Sequence, residues 1–304
     1  MKKKAISKLF EKGGIIISRS SNQLIQDLVY QDIVSLFEKY GVILFKGFDT
    51  KSEKLTNITD KFTEIYAVDA LRRSARFNQK VIRDVDVGAK EVLLHSEASF
   101  TPAWPELIWF YCNTPPQKNG ATILCDGIRL WNALSSDTKN FFLLNPIRFE
   151  LKIVIGKKKK GQGKRPWLLN SVGTGNGYIN WDTGIFHVIL QKFAVHEGRL
   201  SNNLCFANHL FVKLNSEPQL VKRTMIDGKE IPKNILKEIN EKAKKLTYEH
   251  KWKKGDLLMI DNKRFMHGRR ACEKNDPRDI VIIQSARASF GYGSTSRTTI
   301  SKRQ

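Results

Sequence analysis

Strand-length apolar runs, each cut short by glycine, proline or a polar turn, constrain this chain more than any other feature. Val42-Ile43-Leu44-Phe45 follows Gly41, Leu107 to Asn113 ends at Pro115-Pro116, Leu257 to Ile260 follows Gly255-Asp256, and Ile280 to Ala286 closes the series. Continuous apolar runs of this length read as buried strands, and none approaches the length of a bilayer span. Val92–Phe100, Gly120–Cys125, Phe149–Ile155 and Leu204–Asn208 read as further strands. Leu24, Ile25, Leu28, Val29, Ile33, Leu36 and Phe37 fall at helical intervals, which predicts a helix over Asn22–Tyr40 stopped by Gly41. Ser52–Tyr66 reads as a second amphipathic helix, Arg129–Leu134 as the opening of a third, and Pro232–Leu246 as a surface helix. No repeat of fixed period occurs, which argues against solenoids and propellers. Many short strands behind a helical N-terminal part predict a mostly β protein with flanking helices, built on a double-stranded β-helix (jelly-roll) core. No compositional break marks a linker. Residues 1–304 therefore read as one domain, with a long insertion over about 135–250 between core strands.

Hydrophobic residues at 41% and aromatics at 10% are enough for a sizeable core, so disorder is excluded. Cys112, Cys125, Cys205 and Cys272 form no CxxC pair, which argues against a zinc ribbon and a disulfide framework. Met1-Lys2-Lys3-Lys4 is basic, but the apolar Gly13–Ile17 is too short for a signal peptide, and a cytoplasmic protein is expected. The net charge of +22 draws anionic partners: nucleic acid, membrane surface, an acidic protein or an acidic small molecule. Lysines filling an ordinary surface account for it equally well. The densest cluster, Lys157–Lys160 followed by Lys164 and Arg165, reads as a solvated loop. It has no interleaved aromatics to stack bases.

The chemistry centres on His95-Ser96-Glu97. On a strand, residues two apart share a face, so this imidazole and carboxylate would converge. His267 follows the turn and strand Gly255–Asn262. Two histidines and one carboxylate on a barrel form a facial triad that leaves positions open on iron(II). Zinc hydrolases share these ligand types, and a lone His-x-Glu is more often structural, so residue identity alone does not settle the metal.

The set as a whole resembles the taurine dioxygenase/clavaminate synthase superfamily. The resemblance rests on His95-Ser96-Glu97-Ala98-Ser99-Phe100-Thr101-Pro102, Pro105, Pro115-Pro116, Gly120-Ala121-Thr122 and Asp126. Gly41–Asp49, Gly255–Asn262, His267-Gly268-Arg269 and Arg278 extend it. The glutamate variant is similar to the branch holding clavaminate synthase and the syringomycin-type aspartyl hydroxylase. The resemblance implies an iron(II)- and 2-oxoglutarate-dependent dioxygenase consuming dioxygen, with His95, Glu97 and His267 on the metal. It further implies Arg278 and Thr122 on the distal carboxylate of 2-oxoglutarate. Relatives that halogenate replace the carboxylate ligand with a small residue, so Glu97 implies hydroxylation, ahead of desaturation or cyclisation.

Two departures stand out. Many relatives carry a second arginine along the strand after the first, where this chain has Ile280-Val281-Ile282-Ile283, and the acidic residue before the threonine is Ala121 here. The expected substrate is an amino acid or amino-acid-derived metabolite, free or tethered to an acidic carrier protein. Ser96, Phe100, Asn208 and Arg287 are the candidate substrate contacts. The readings from other classes are a nucleic-acid-modifying oxygenase, a zinc hydrolase, and a basic binding protein with a dead oxygenase site.

Overall fold

The computed structural model describes residues 6–11, 13–67, 73–85, 88–102, 104–154, 176–198, 203–212 and 220–290. The Lys157–Lys160 loop lies outside them. Two sheets face each other as a jelly roll. The larger runs in the order Ile6–Phe10, Gly13–Ser18, Val42–Lys46, Leu257–Asp261, Leu107–Thr114, Asp279–Ala288, Gln79–Asp84, Ala75–Arg76, and Thr63–Ala67 also pairs with Asp279–Ala288. The smaller has the order Tyr248–His250, Thr122–Asp126, Phe265–Arg269, Val92–His95.

Burial explains the continuous apolar runs. Within Leu107–Thr114, Ile108, Phe110 and Cys112 meet Leu124 and Phe265 of the smaller sheet between the layers. Leu107, Trp109 and Tyr111 point the other way, against Ile33, Phe37, Ile58 and Phe62. A strand apolar on both faces needs no alternation, and each fully buried large side chain contributes roughly 1.5–3 kcal/mol. The outer face of the smaller sheet (Leu94, Ile123, Cys125, Met266) is covered by a third core with Trp131, Phe142, Phe149 and Phe186. Part of that cover is a separate four-stranded sheet of Asn176–Asn180, Ile185–Lys192, Ile147–Val154 and Leu220–Met225. Among the described residues no helix is long and apolar enough to cross a membrane.

The structure corrects two helix readings. The first α-helix spans only Tyr30–Tyr40, because the Asp27 carboxylate accepts from Leu24 N and closes a short 3₁₀ turn ahead of it. It ends as expected at Gly41, which has φ 69°. The second helix stops at Phe62, and Thr63–Ala67 is a strand. Its β-branched and aromatic residues meet the Asp279–Ala288 strand, where the Thr63 and Ser285 hydroxyls are 2.7 Å apart. Tertiary pairing overrides helical periodicity here.

Candidate metal centre

Strand register brings the two imidazoles together. In the pairing of Phe265–Arg269 with Val92–His95, His267 stands opposite His95, and their ring centroids are 4.5 Å apart. The Leu93 carbonyl oxygen lies 2.8 Å from His95 Nδ1. That contact assigns the proton to Nδ1 and leaves the Nε2 lone pair facing inward.

Glu97 reaches the same point by a turn, not by the strand alternation expected from the sequence. The strand ends at His95, and the next residues turn, with Ala98 at φ 54°. Asn262 clamps this turn. Its Oδ1 accepts from Glu97 N at 2.9 Å, and its Nδ2 donates to Glu97 O at 3.0 Å and to Pro105 O at 2.8 Å. Glu97 Oε2 then lies 3.6 Å from His95 Nε2 and 3.9 Å from His267 Nε2. One ligand atom from each of the three residues fits within 4.8 Å of the others, and all three residues are buried.

Burial is the main cause that lowers the pKa of His267 well below the ordinary imidazole value; His95 adds to the fall and Glu97 opposes it. His267 is therefore neutral and keeps a lone pair to offer. Two buried imidazoles and one buried carboxylate converging beside an open cleft fit a facial metal site of the iron(II) type. Arg73 joins this group: its Nη2 donates to Glu97 Oε2 at 3.1 Å, with both side chains buried.

Thr122 and Arg278 line the cleft beside the two histidines, among the apolar side chains of Val85, Phe110, Ile280 and Ile282. Thr122 Oγ1 accepts from the Trp252 indole N–H at 2.9 Å, which leaves its own hydrogen to donate into the cleft. Asp279 pairs with Arg76 at 2.5 Å, while Asp276 Oδ1 accepts from Arg278 N at 2.9 Å and Arg278 Nη2 lies 3.5 Å from Gly88 O. Arg73 and Arg269 line the same cleft, so its lining joins three guanidinium groups and a hydroxyl to the two histidines, a donor set that suits a 2-oxo dicarboxylate.

The four candidate substrate contacts have different surroundings. Phe100 stacks on Phe149 at 5.4 Å and meets the His209 ring edge-on at 4.8 Å; His209 in turn lies 5.4 Å from His95. The Ser96 hydroxyl donates to Asn262 O at 2.6 Å and accepts from Trp104 Nε1 at 2.7 Å. The Asn208 amide donates to Ala194 O at 2.9 Å and accepts from Leu210 N at 3.0 Å. Arg287 pairs with Glu64 at 3.2 Å on a half-exposed edge.

Sequence reasoning missed Asn262, Trp252 and Arg73. Asn262 had one signal, a carboxamide directly behind a fully buried strand. Trp252 stands among lysines, and Arg73 sits in an arginine-rich stretch with Arg72 and Arg76 that reads as surface.

The family model described as "Taurine catabolism dioxygenase TauD, TfdA family" matches residues 5–174 and 187–283 of the chain. A curated protein of Fischerella ambigua (strain UTEX 1903), 3-((Z)-2-isocyanoethenyl)-1H-indole synthase, is 20% identical over 291 residues, covering 92% of this chain and 94% of that protein. Among solved structures, AAD-2 in complex with Mn(II) and N-oxalylglycine superposes with a TM-score of 0.62 at 20% identity, over 94% of this chain and 98% of the other. PvcB, described as an Fe, alpha-ketoglutarate dependent oxygenase from an isonitrile synthetic pathway, gives 0.57 at 15% identity, over 92% and 90%. A taurine dioxygenase from Burkholderia xenovorans gives 0.61 at 12% identity, over 92% and 88%. These likenesses share the jelly-roll fold.

Proposed function

This chain belongs to the taurine catabolism dioxygenase TauD, TfdA family, a 2-oxoglutarate-dependent dioxygenase class, and we propose that it oxidises an unactivated carbon of a small amino-acid-derived metabolite. In this reading His95, Glu97 and His267 hold iron(II), and Arg278 with Thr122 holds the distal carboxylate of 2-oxoglutarate. The observation that carries it is the convergence of three buried ligand atoms within 4.8 Å beside a cleft lined by Thr122 and Arg278.

Iron(II), 2-oxoglutarate and dioxygen together supply the oxidising power for C–H cleavage. The chain's own residues do the rest. Neutral His267 offers a lone pair without first losing a proton, and the Leu93 carbonyl at Nδ1 turns His95 Nε2 toward the same point. Asn262 holds the Glu97 turn, so the carboxylate meets the metal already oriented. Trp252 orients the Thr122 hydroxyl toward the cleft. Phe110, Ile280 and Ile282 keep water from the reacting end. Glu97 occupies the position that halogenating relatives leave small, which favours hydroxylation.

A second reading, desaturation, is favoured by one observation: the Fischerella relative is named for a product with an ethenyl double bond. That name, and PvcB's isonitrile pathway, also support a small nitrogen-containing metabolite as substrate. The +22 charge suits an acidic substrate or an acidic carrier protein that presents it.

The test is an anaerobic titration of the metal-free protein with iron(II) and then 2-oxoglutarate, following the visible metal-to-ligand charge-transfer band. The expected band needs both components and disappears in His267→Ala. A folded protein that gives no band would overturn the reading.

A further inference from the structure

Arg73 is a buried cation in the cleft that the family resemblance does not account for. Its side chain is 4% exposed, and its Nη2 lies 3.1 Å from Glu97 Oε2, the oxygen that faces both imidazoles. Its backbone is pinned: Arg83 Nη1 donates to Arg73 O at 2.7 Å, and Asp84 N donates to Ser74 O at 3.1 Å. The Gln79–Asp84 strand thus fixes the backbone at Arg73, and the end of the guanidinium meets Glu97.

The adjoining strand of the same sheet brings no second cation to the cleft. Ile280 and Ile282 of the Asp279–Ala288 strand line the cleft beside Arg278, so the strand that supplies the first arginine offers only apolar side chains beyond it. Arg269 also lines the cleft, but its Nη2 donates to the carbonyls of Gly88 and Lys90 at 2.7 Å each. Arg73 is therefore the guanidinium placed at the metal end. With a divalent metal on Glu97, that carboxylate is shared between two cations in a desolvated site. A second anion beside them then offsets the repulsion.

We propose that Arg73 binds the 2-oxo acid's metal-end carboxylate, while Arg278 takes the distal one, so two arginines grip one dianion. The assignment rests on the iron(II) and 2-oxoglutarate reading of the site. It relocates the second cation from the C-terminal strand to the segment before Gln79.

The experiment measures binding, not turnover. Wild type, Arg73→Gln, Arg73→Lys and Arg278→Gln are loaded anaerobically with iron(II) and titrated with 2-oxoglutarate and with 2-oxopentanoate, which lacks the distal carboxylate. Circular dichroism of the iron-loaded proteins confirms that each is folded. Arg73→Gln should weaken 2-oxoglutarate binding about 10- to 100-fold, the range for losing one charge-assisted contact. Arg73→Lys should recover part of this, since it keeps the charge without the fork. Iron(II) affinity should hold or rise, because a cation beside the metal has been removed. The split identifies the end: 2-oxopentanoate binding should fall in Arg73→Gln and stay unchanged in Arg278→Gln.

Wild-type affinity for 2-oxoglutarate in Arg73→Gln would overturn the proposal and turn Arg73 toward the main substrate. So would a loss confined to 2-oxoglutarate, which would put Arg73 at the distal end. If wild type itself gives no band, the underlying reading fails and this assignment falls with it.

Discussion

Replacing Gly268 with alanine adds one methyl group between the strands that carry the two histidines. The added Cβ would stand 2.4 Å from Val92 O and 3.0 Å from both the carbonyl carbon and oxygen of Leu93. Ordinary van der Waals contact begins at 3.4 Å, so the backbone of the Val92–His95 strand has to retreat by about 1 Å. These atoms are not flexible side-chain ends. The Leu93 carbonyl is also the group that orients His95 Nδ1, and His95 sits opposite His267 in this pairing. Gly268 has no left-handed φ, so the effect is contact rather than backbone strain.

Overpacking of this kind costs about 1–3 kcal/mol, partly offset by the roughly 0.4–1 kcal/mol that Gly→Ala gains from a stiffer unfolded chain. The net loss of stability should be about 1–2 kcal/mol. The effect on metal binding should be larger, because metal–ligand distances tolerate only about 0.2 Å and disturbing a ligand's orienting group typically costs about 10- to 100-fold in affinity. Thermal unfolding of the metal-free protein gives the first quantity, and anaerobic iron(II) titration calorimetry gives the second. A variant that loses stability but binds iron(II) like wild type would refute the argument that the strand spacing sets the histidine pair.

Two further outcomes follow from the structure. Burial lowers the His196 pKa to about 4, against the opposing hydrogen bond from its Nε2 to Lys263 O at 2.7 Å. Its folded pKa lies below the unfolded value, so this contribution is complete above about pH 6.5 and is lost as pH falls toward 4, by at most about 3 kcal/mol. His196→Gln should flatten that part of the melting-temperature profile, and an equally steep profile in the variant would count against it. Trp252→Phe removes the donor to Thr122 Oγ1 and should weaken 2-oxoglutarate binding about 3- to 10-fold with iron(II) affinity unchanged. Identical 2-oxoglutarate titrations in the two proteins would remove Trp252 from the orienting role.

The apolar strands around Val42, Leu107, Leu257 and Ile280 were readable because burial on both faces leaves an uninterrupted local signature. The strands Thr63–Ala67 and Gln79–Asp84 left none, since they carry polar residues and take their conformation from pairing with Asp279–Ala288. The identity of Glu97 as a candidate ligand was readable, but the expected reason was not the operating one. Strand alternation predicts the convergence, whereas a turn clamped by Asn262 produces it.

By itself the sequence determined the strand-rich composition, the apolar faces, the candidate ligand types in His95, Glu97 and His267, and the apolar stretch after Arg278. These are matters of residue chemistry and short-range period, written within a few positions of each other. Only the tertiary structure decided that His267 faces His95, that Trp252 donates to the Thr122 hydroxyl, and that Arg73 stands beside Glu97. Each depends on register between segments far apart in the chain. A one-residue slip would turn these side chains to the opposite face, and no local pattern encodes that choice.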